Sequence, residues 1–304
     1  MRWRGCRPEG SPMSDDRNLT DVTAGVSRAA DDGGVTPNRW RQLRAFTDAR
    51  IGLGRAGVSL PTDRMLAFQL AHAQAIDAVH RAFDVEAWCT DLADAAIDGP
   101  LGEAPIRLHS QAEDRMMYLQ RPDLGRRLDE ASREALAGDE GSAQQPFDLA
   151  VAVVDGLSAR AIHDHAVGFL DALSRELASS AHDWRLAPLT VVEQGRVAIG
   201  DDIAPRLNAK AVLVLIGERP GLSSPDSLGL YLTWQPGDGT SDADRNCISN
   251  VRPAGLKLES AARRLAYLLG EARHLGLTGV GLKDRSDDGV IDNDGAGTRN
   301  FLTG

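Results

Sequence analysis

Between Gly217 and Ser227 the chain reads Gly-Glu-Arg-Pro-Gly-Leu-Ser-Ser-Pro-Asp-Ser, which sets Glu218, Arg219, Ser223, Ser224 and Asp226 in one short loop. Carboxylate, guanidinium and hydroxyl groups together offer donors and acceptors to a large polar ligand carrying amide, hydroxyl or phosphate groups. A polar stretch around Cys247 and Arg252 offers more of the same. The plainer alternative is that Glu218 and Arg219 only cap neighbouring backbone, and spacing does not choose between the two.

Other chemistries are less well supported. Ser158 stands in Gly-Leu-Ser-Ala-Arg, without the second glycine of a nucleophile elbow, and suits a helix cap. His163-Asp164-His165 has the form of a metal or catalytic pair but falls in the second turn of a mixed-face helix, which favours surface histidines. Cys247, in the loop-like run Asp244 to Asn250, has no nearby histidine to activate it. Gly52, Gly54 and Gly57 satisfy GxGxxG literally. The dinucleotide fingerprint, however, must follow a strand and open into a helix, and neither Phe46 to Arg50 nor Val58 to Pro61 reads so. Those glycines suit a tight irregular loop that lets another surface come close. His72 and His80 lie eight apart, off the spacing of a helical metal pair, and read as ordinary hydrogen-bonded histidines. No phosphate-binding GxxxxGK is present. The sequence offers a ligand edge and no assembled catalytic set.

The elements that must position this edge follow from patterning. Ala211 to Ile216 is a continuous apolar run, expected as a strand buried on both faces, and the polar loop leaves its carboxyl end. In open α/β sheets that is where ligands bind. Asp148 to Val154 reads as a second buried strand breaking at Asp155-Gly156-Leu157, and Leu228 to Trp234 as a third. Leu189 to Val192 and Arg196 to Ile199 read as shorter strands. Helices are expected from Thr62, with Leu66, Leu70, Ala73, Ile76, Val79 and Phe83 as the inward stripe, over Val85 to Ala96, after Ser158, over Asp201 to Leu207, and over Leu258 to Leu275. The fold class is α/β, a mostly parallel Rossmann-like sheet with flanking helices, preceded by a mainly helical N-terminal region without strong strand signal. The expected divisions are a flexible tail over 1–38, the helical region 39–146, the α/β region 147–284 and a flexible tail over 285–304. Leu19, Val22 and Val26 allow a short amphipathic helix in the first tail, and Met13 is a candidate native start.

Composition narrows the function classes. The 304 residues carry a formal net charge of -10, opposite in sign to a nucleic-acid footprint. No apolar run approaches the ~20 residues of a membrane span. Cys6, Cys89 and Cys247 are too scattered for a disulfide framework or zinc site. Without an apolar signal region at the start, a cytoplasmic location is expected.

Six segments are then informative together: Ile51 to Pro61, Phe68 to Ala75, Arg121 to Leu128, Asp155 to Ala159, Gly217 to Ser227 and Asn246 to Asn250. In this order they closely resemble the small subunit, or light chain, of ethanolamine ammonia-lyase, over about residues 38 to 284. The resemblance implies an adenosylcobalamin-dependent lyase that converts ethanolamine to acetaldehyde and ammonia by radical rearrangement. It implies a hetero-oligomer, in which a TIM-barrel large subunit holds substrate and this subunit covers the cobalamin from one side. Cofactor contacts then fall on Val197, Glu218 and Cys247, with no catalytic residue or metal ligand in this chain, and ethanolamine degradation inside a bacterial microcompartment is a further expectation. His165 and Gly168 match part of the DxHxxG signature of base-off mutases, but His163 replaces its Asp, so His165 is not expected to ligate cobalt. Two other functions remain to be weighed. One is a self-sufficient nucleotide-binding enzyme using Gly52, Gly54 and Gly57; the other is a non-catalytic adaptor of a microcompartment complex.

Overall fold

The protein is described here by a computed structural model covering residues 34–136 and 145–286. Most of both expected tails, with Met13 and the Leu19–Val26 helix, lies outside these residues. The chain divides into two compact units at Ala67/Phe68.

In the first unit, Val35–Thr36 (β1) pairs antiparallel with Arg55–Ala56 (β2). A 3-10 turn over Arg39–Ala45 is capped by Asn38, whose side chain accepts from the Trp40 amide at 2.9 Å. Gly52 and Gly54 have φ of 59° and 79°. A Cβ at Gly52 would lie 2.8 Å from the Arg41 amide nitrogen, and one at Gly54 2.9 Å from the Thr36 carbonyl. The glycine-rich stretch is thus a tight loop against its own backbone, with no strand entering it in the manner of a dinucleotide site.

Thr62–His80 forms α1, beginning directly after Pro61. Its expected stripe is met only at its end, where Phe83 is buried and Val79 half-buried. The small residues Ala71, Ala75 and Ala78 are buried, while Leu66, Leu70 and Ile76 stand exposed. Periodicity reveals that a stripe exists, not which way it faces.

The second unit continues with α2 (Val85–Asp94), β3 (Ile106–His109), α3 (Arg115–Gln120) and α4 (Glu130–Leu136). Then come β4 (Phe147–Val154), α5 (Ala159–Ala161), a π-turn over Ile162–Ala166, and α6 (Val167–Ser179). β5 (Thr190–Glu193), α7 (Gly200–Arg206), β6 (Ala209–Gly217), β7 (Leu228–Trp234), β8 (Arg245–Val251) and α8 (Leu258–Leu275) complete it. One six-stranded sheet runs in the order β3-β5-β4-β6-β7-β8.

The continuous apolar runs behave as expected for strands covered on both sides. Leu149, Val151 and Val153 of β4, with Leu213 and Leu215 of β6, join one core with Phe169 and Leu173 of α6 and Leu265 and Leu269 of α8. Ala150, Ala152, Val154, Val212, Val214 and Ile216 alternate into a second core with Ile199, Ile203 and Ala204 at α7. At ~1.5–3 kcal/mol for each fully buried aliphatic side chain, these two faces hold the sheet rigid behind its loops.

Three expectations need correction. The sheet is mixed and not mostly parallel: β3, β5, β4 and β6 pair parallel, but β6–β7 and β7–β8 pair antiparallel. A parallel return needs a crossover, and no helix separates Gly217 from Leu228. The expected strand over Arg196 to Ile199 is a 3-10 turn over Val197–Ile199, because Gly200 must lie flat on the sheet, where a Cβ would come 2.7 Å from a Val214 methyl. In the region expected to be mainly helical, the alternating Ile-Arg-Leu-His of β3 adds an edge strand to the same sheet.

Candidate functional site

The helical segment after β4 packs on one face and leads to β5, while α7, after β5, packs on the other and leads to β6 across β4. The order of the strands therefore reverses at β4, and a crevice opens at the carboxyl ends of β4, β5 and β6. It forms a cleft of about 380 Å³ lined by Leu157 after β4, Arg196 and Val197 after β5, Ile216 to Arg219 at the end of β6, and Tyr118, Tyr231 and Ser249. Gly156 makes the crevice narrow: its φ is 59°, and a Cβ there would sit 2.3 Å from the Gly217 carbonyl. The Leu157 amide donates to that carbonyl at 2.9 Å, tying the ends of β4 and β6 together.

Two of the three expected contact residues, Val197 and Glu218, line this cleft. Val197 opens its 3-10 turn just after Arg196, whose amide donates to the Gly125 carbonyl at 2.7 Å. The Glu218 carboxylate accepts from the hydroxyls of Ser227 and Ser249 and, at 3.2 Å, from the Asn250 amide. Of its roughly four lone-pair positions three are taken by the chain itself. Glu218 is thus first a clamp holding the end of β6 to β7 and β8. One acceptor direction is left over.

Cys247 adjoins the cleft and does not line it. The sequence suggests a loop here, but the residue lies on edge strand β8, opposite Tyr231. Polar residues disfavour a buried strand, not an edge one with one face in water. Shielding of the thiol raises its pKa and the nearby Glu218 charge adds to this, while a hydrogen bond with Tyr231 opposes it. A raised thiol pKa makes this exposed cysteine a poor nucleophile. Burial likewise raises the Tyr231 phenol.

The rim is held by groups far apart in sequence. Tyr118 is sandwiched between two guanidinium groups, Arg115 at 4.8 Å and Arg196 at 4.5 Å from the ring centre. Arg196 also donates to the Tyr118 carbonyl at 2.9 Å, and Arg115 to the Gly156 carbonyl at 2.7 Å. Asp155 lies beneath, 3.8 Å from Arg115, accepting from the Gly195 amide at 3.2 Å. Complete burial pushes its carboxyl up to about 6 against the pull of Arg115. None of these long-range partners was marked as a site residue by sequence reading; the break at Asp155-Gly156 was the one local signal.

The loop from Gly217 to Ser227 is pinned. The Ser158 hydroxyl donates to the Pro225 carbonyl at 2.7 Å while its oxygen caps α5, as expected. His165 reaches Asp226 at 3.2 Å, and Arg252 lies 3.7 Å from the other carboxylate oxygen. The His165 hydrogen bond holds the Asp226 carboxyl below its usual range. The surface reading of His163-Asp164-His165 is corrected for His165, which is buried because the π-turn rotates it toward this loop. His163 is half-buried and accepts from the Asp84 amide at 3.2 Å. Among the described residues no group of three His, Cys, Asp or Glu could hold a metal ion.

Comparison with known proteins identifies the family. The family model described as ethanolamine ammonia-lyase light chain (EutC) matches residues 37–283. The chain belongs to the ethanolamine ammonia-lyase light-chain family. A relative from Xanthomonas campestris pv. campestris, named ethanolamine ammonia-lyase small subunit, is 54% identical over 274 residues, 88% of this chain and 97% of its own. One of the same name from Ralstonia nicotianae is 49% identical over 293 residues, 95% of this chain and 99% of its own. A third, from Pseudomonas syringae pv. tomato, is 52% identical over 86% of this chain and 89% of its own. The matched span contains every residue of the cleft. Among the described residues no helix is long and apolar enough to cross a membrane.

Proposed function

We propose that this chain is the small subunit of an ethanolamine ammonia-lyase and forms one wall of an adenosylcobalamin site completed by a large, TIM-barrel subunit. The observation that carries the proposal is the convergence of Val197 and Glu218 in one cleft, with Cys247 adjoining through Tyr231. The α/β segment 147–284 supplies most of this wall, and the 39–146 segment adds Tyr118.

The residues present suit the cofactor. Leu157, Val197 and Ile216 give an apolar floor for a flat macrocycle, while Arg196, Arg219 and Tyr231 offer donors for peripheral amide oxygens; the Ser249 hydroxyl is already donated to Glu218. Arg196 Nε is buried without a partner among the described residues, an orphan donor beside the cleft. About 380 Å³ lies near the lower end of the ~300–1,000 Å³ that enclose a drug-sized ligand, so a corrinoid would be covered here on one side only. When bound, the cofactor supplies the radical chemistry through its cobalt–carbon bond. Leu157, Arg196, Val197 and Tyr118 would hold it and keep water from that face. Among the described residues of the cleft no acid, base or nucleophile is set for the reaction, which supports a substrate site on the large subunit. This reading favours the lyase over the adaptor: an adaptor would have no need of a rigid, donor-lined cleft.

Turnover tests it. The purified chain with ethanolamine and adenosylcobalamin should release no acetaldehyde, and adding the cognate large subunit should restore release. Turnover by the chain alone, or by the large subunit alone at the full rate, would contradict the proposal.

A further inference from the structure

The residues that α1 buries are all alanines. Ala71, Ala75 and Ala78 are buried, whereas Phe68, Leu70 and Ile76 are 42%, 60% and 45% exposed. A helix of a free-standing soluble protein turns its large apolar residues inward. The solvent side around Leu70 and Ile76 also carries Gln69, Ala73 and a single charge, Asp77, with no lysine or arginine, and so low a charge marks the centre of a protein interface. The face also continues to the cleft. Arg115 donates from Nε to the Val79 carbonyl near the end of α1, and from Nη1 to the Gly156 carbonyl at the crevice, each at 2.7 Å. Met116, next to Arg115, is 56% exposed. A partner that closes the cleft must come down beside this helix.

We propose that the solvent face of α1, with Leu70, Ile76 and neighbouring Met116, is the surface that the large subunit covers. The inference rests on the reading that the chain shares its cofactor with that subunit. Contiguous exposed apolar patches on soluble proteins mark interaction sites, and a few large side chains carry most of the energy at such interfaces. The face and the cleft then belong to one interface, and association is expected without the cofactor.

The experiment is sedimentation velocity of the full chain mixed with the cognate large subunit, in the absence of cobalamin. Leu70→Glu and Ile76→Glu should each weaken association at least tenfold. Both residues point to solvent, so circular-dichroism melts should match wild type. Arg175→Glu, on the solvent side of α6, should associate as wild type does. Wild-type association by both α1 variants would overturn the assignment of this face while leaving the shared site intact. Loss of a self-dimer with unchanged binding to the large subunit would assign the face to a second copy and overturn the proposal. Failure of the wild-type chain to associate at all would overturn both this proposal and the shared-site reading.

Discussion

Replacing Glu218 by Ala should lower the affinity of the assembled enzyme for adenosylcobalamin at least tenfold and also lower the stability of the chain. Two effects act together. The carboxylate gathers Ser227, Ser249 and the Asn250 amide, so its removal frees the end of β6 from β7 and β8. Hydrogen bonds to a charged group contribute ~1.5–3 kcal/mol each when shielded. This rim is partly open to water, so a loss of about 2–4 kcal/mol is expected for the three together. The second effect is the loss of the one acceptor direction left for the cofactor. Glu218→Gln separates them. Its amide keeps the shape and one oxygen, but sets an N–H₂ against either a serine hydroxyl, which can turn, or the Asn250 N–H, which cannot. Calorimetric titration of cobalamin, with thermal melts of each variant, reads both quantities. Unchanged affinity in the Ala variant would remove Glu218 from the site.

The second large effect is electrostatic. Asp155 keeps its proton up to about pH 6 in the folded chain because burial disfavours its charge, whereas an unfolded Asp releases it near pH ~3.9. Between these values the folded state holds a proton the unfolded state lacks, so this group makes stability fall as pH rises. At ~1.4 kcal/mol per pH unit the contribution amounts to roughly 3 kcal/mol over that window. Asp155→Asn cannot titrate, and its stability between pH 4 and 6 should be flatter than wild type by about that amount. Urea unfolding of both proteins across this range checks it. Parallel profiles would mean that Arg115 and the surrounding amides hold Asp155 at an ordinary carboxylate pKa.

What could be read from the sequence divides by range. The runs of β4 and β6 and the helix over Leu258–Leu275 are written in local periodicity, and the structure has them where patterning puts them. The ligand edge after Ile216 followed from a single rule about strand ends; its first residues, Gly217 to Arg219, line the cleft, whereas Ser223, Ser224 and Asp226 do not. The contacts of Tyr118 with Arg115 and Arg196 did not follow, because they join segments whose proximity is set by the parallel pairing of β3 with β5, strands separated in sequence by β4. Neither did the facing of α1: Leu66, Leu70 and Ile76 spell a stripe, and a stripe written for a partner looks like one written for a core. The mixed sheet had a signal that went unused, the lack of any helical segment between Gly217 and Leu228. The place of His165 had none, since a π-turn has no sequence period of its own.

The most direct measurement is the equilibrium binding of adenosylcobalamin, followed by its absorbance, to this chain, to the large subunit, and to the two together. A wall that covers the cofactor from one side has too little surface to hold it alone. The account predicts weak binding to each subunit separately and binding at least a hundredfold tighter to the complex. Equal affinity for the large subunit with and without this chain would contradict it.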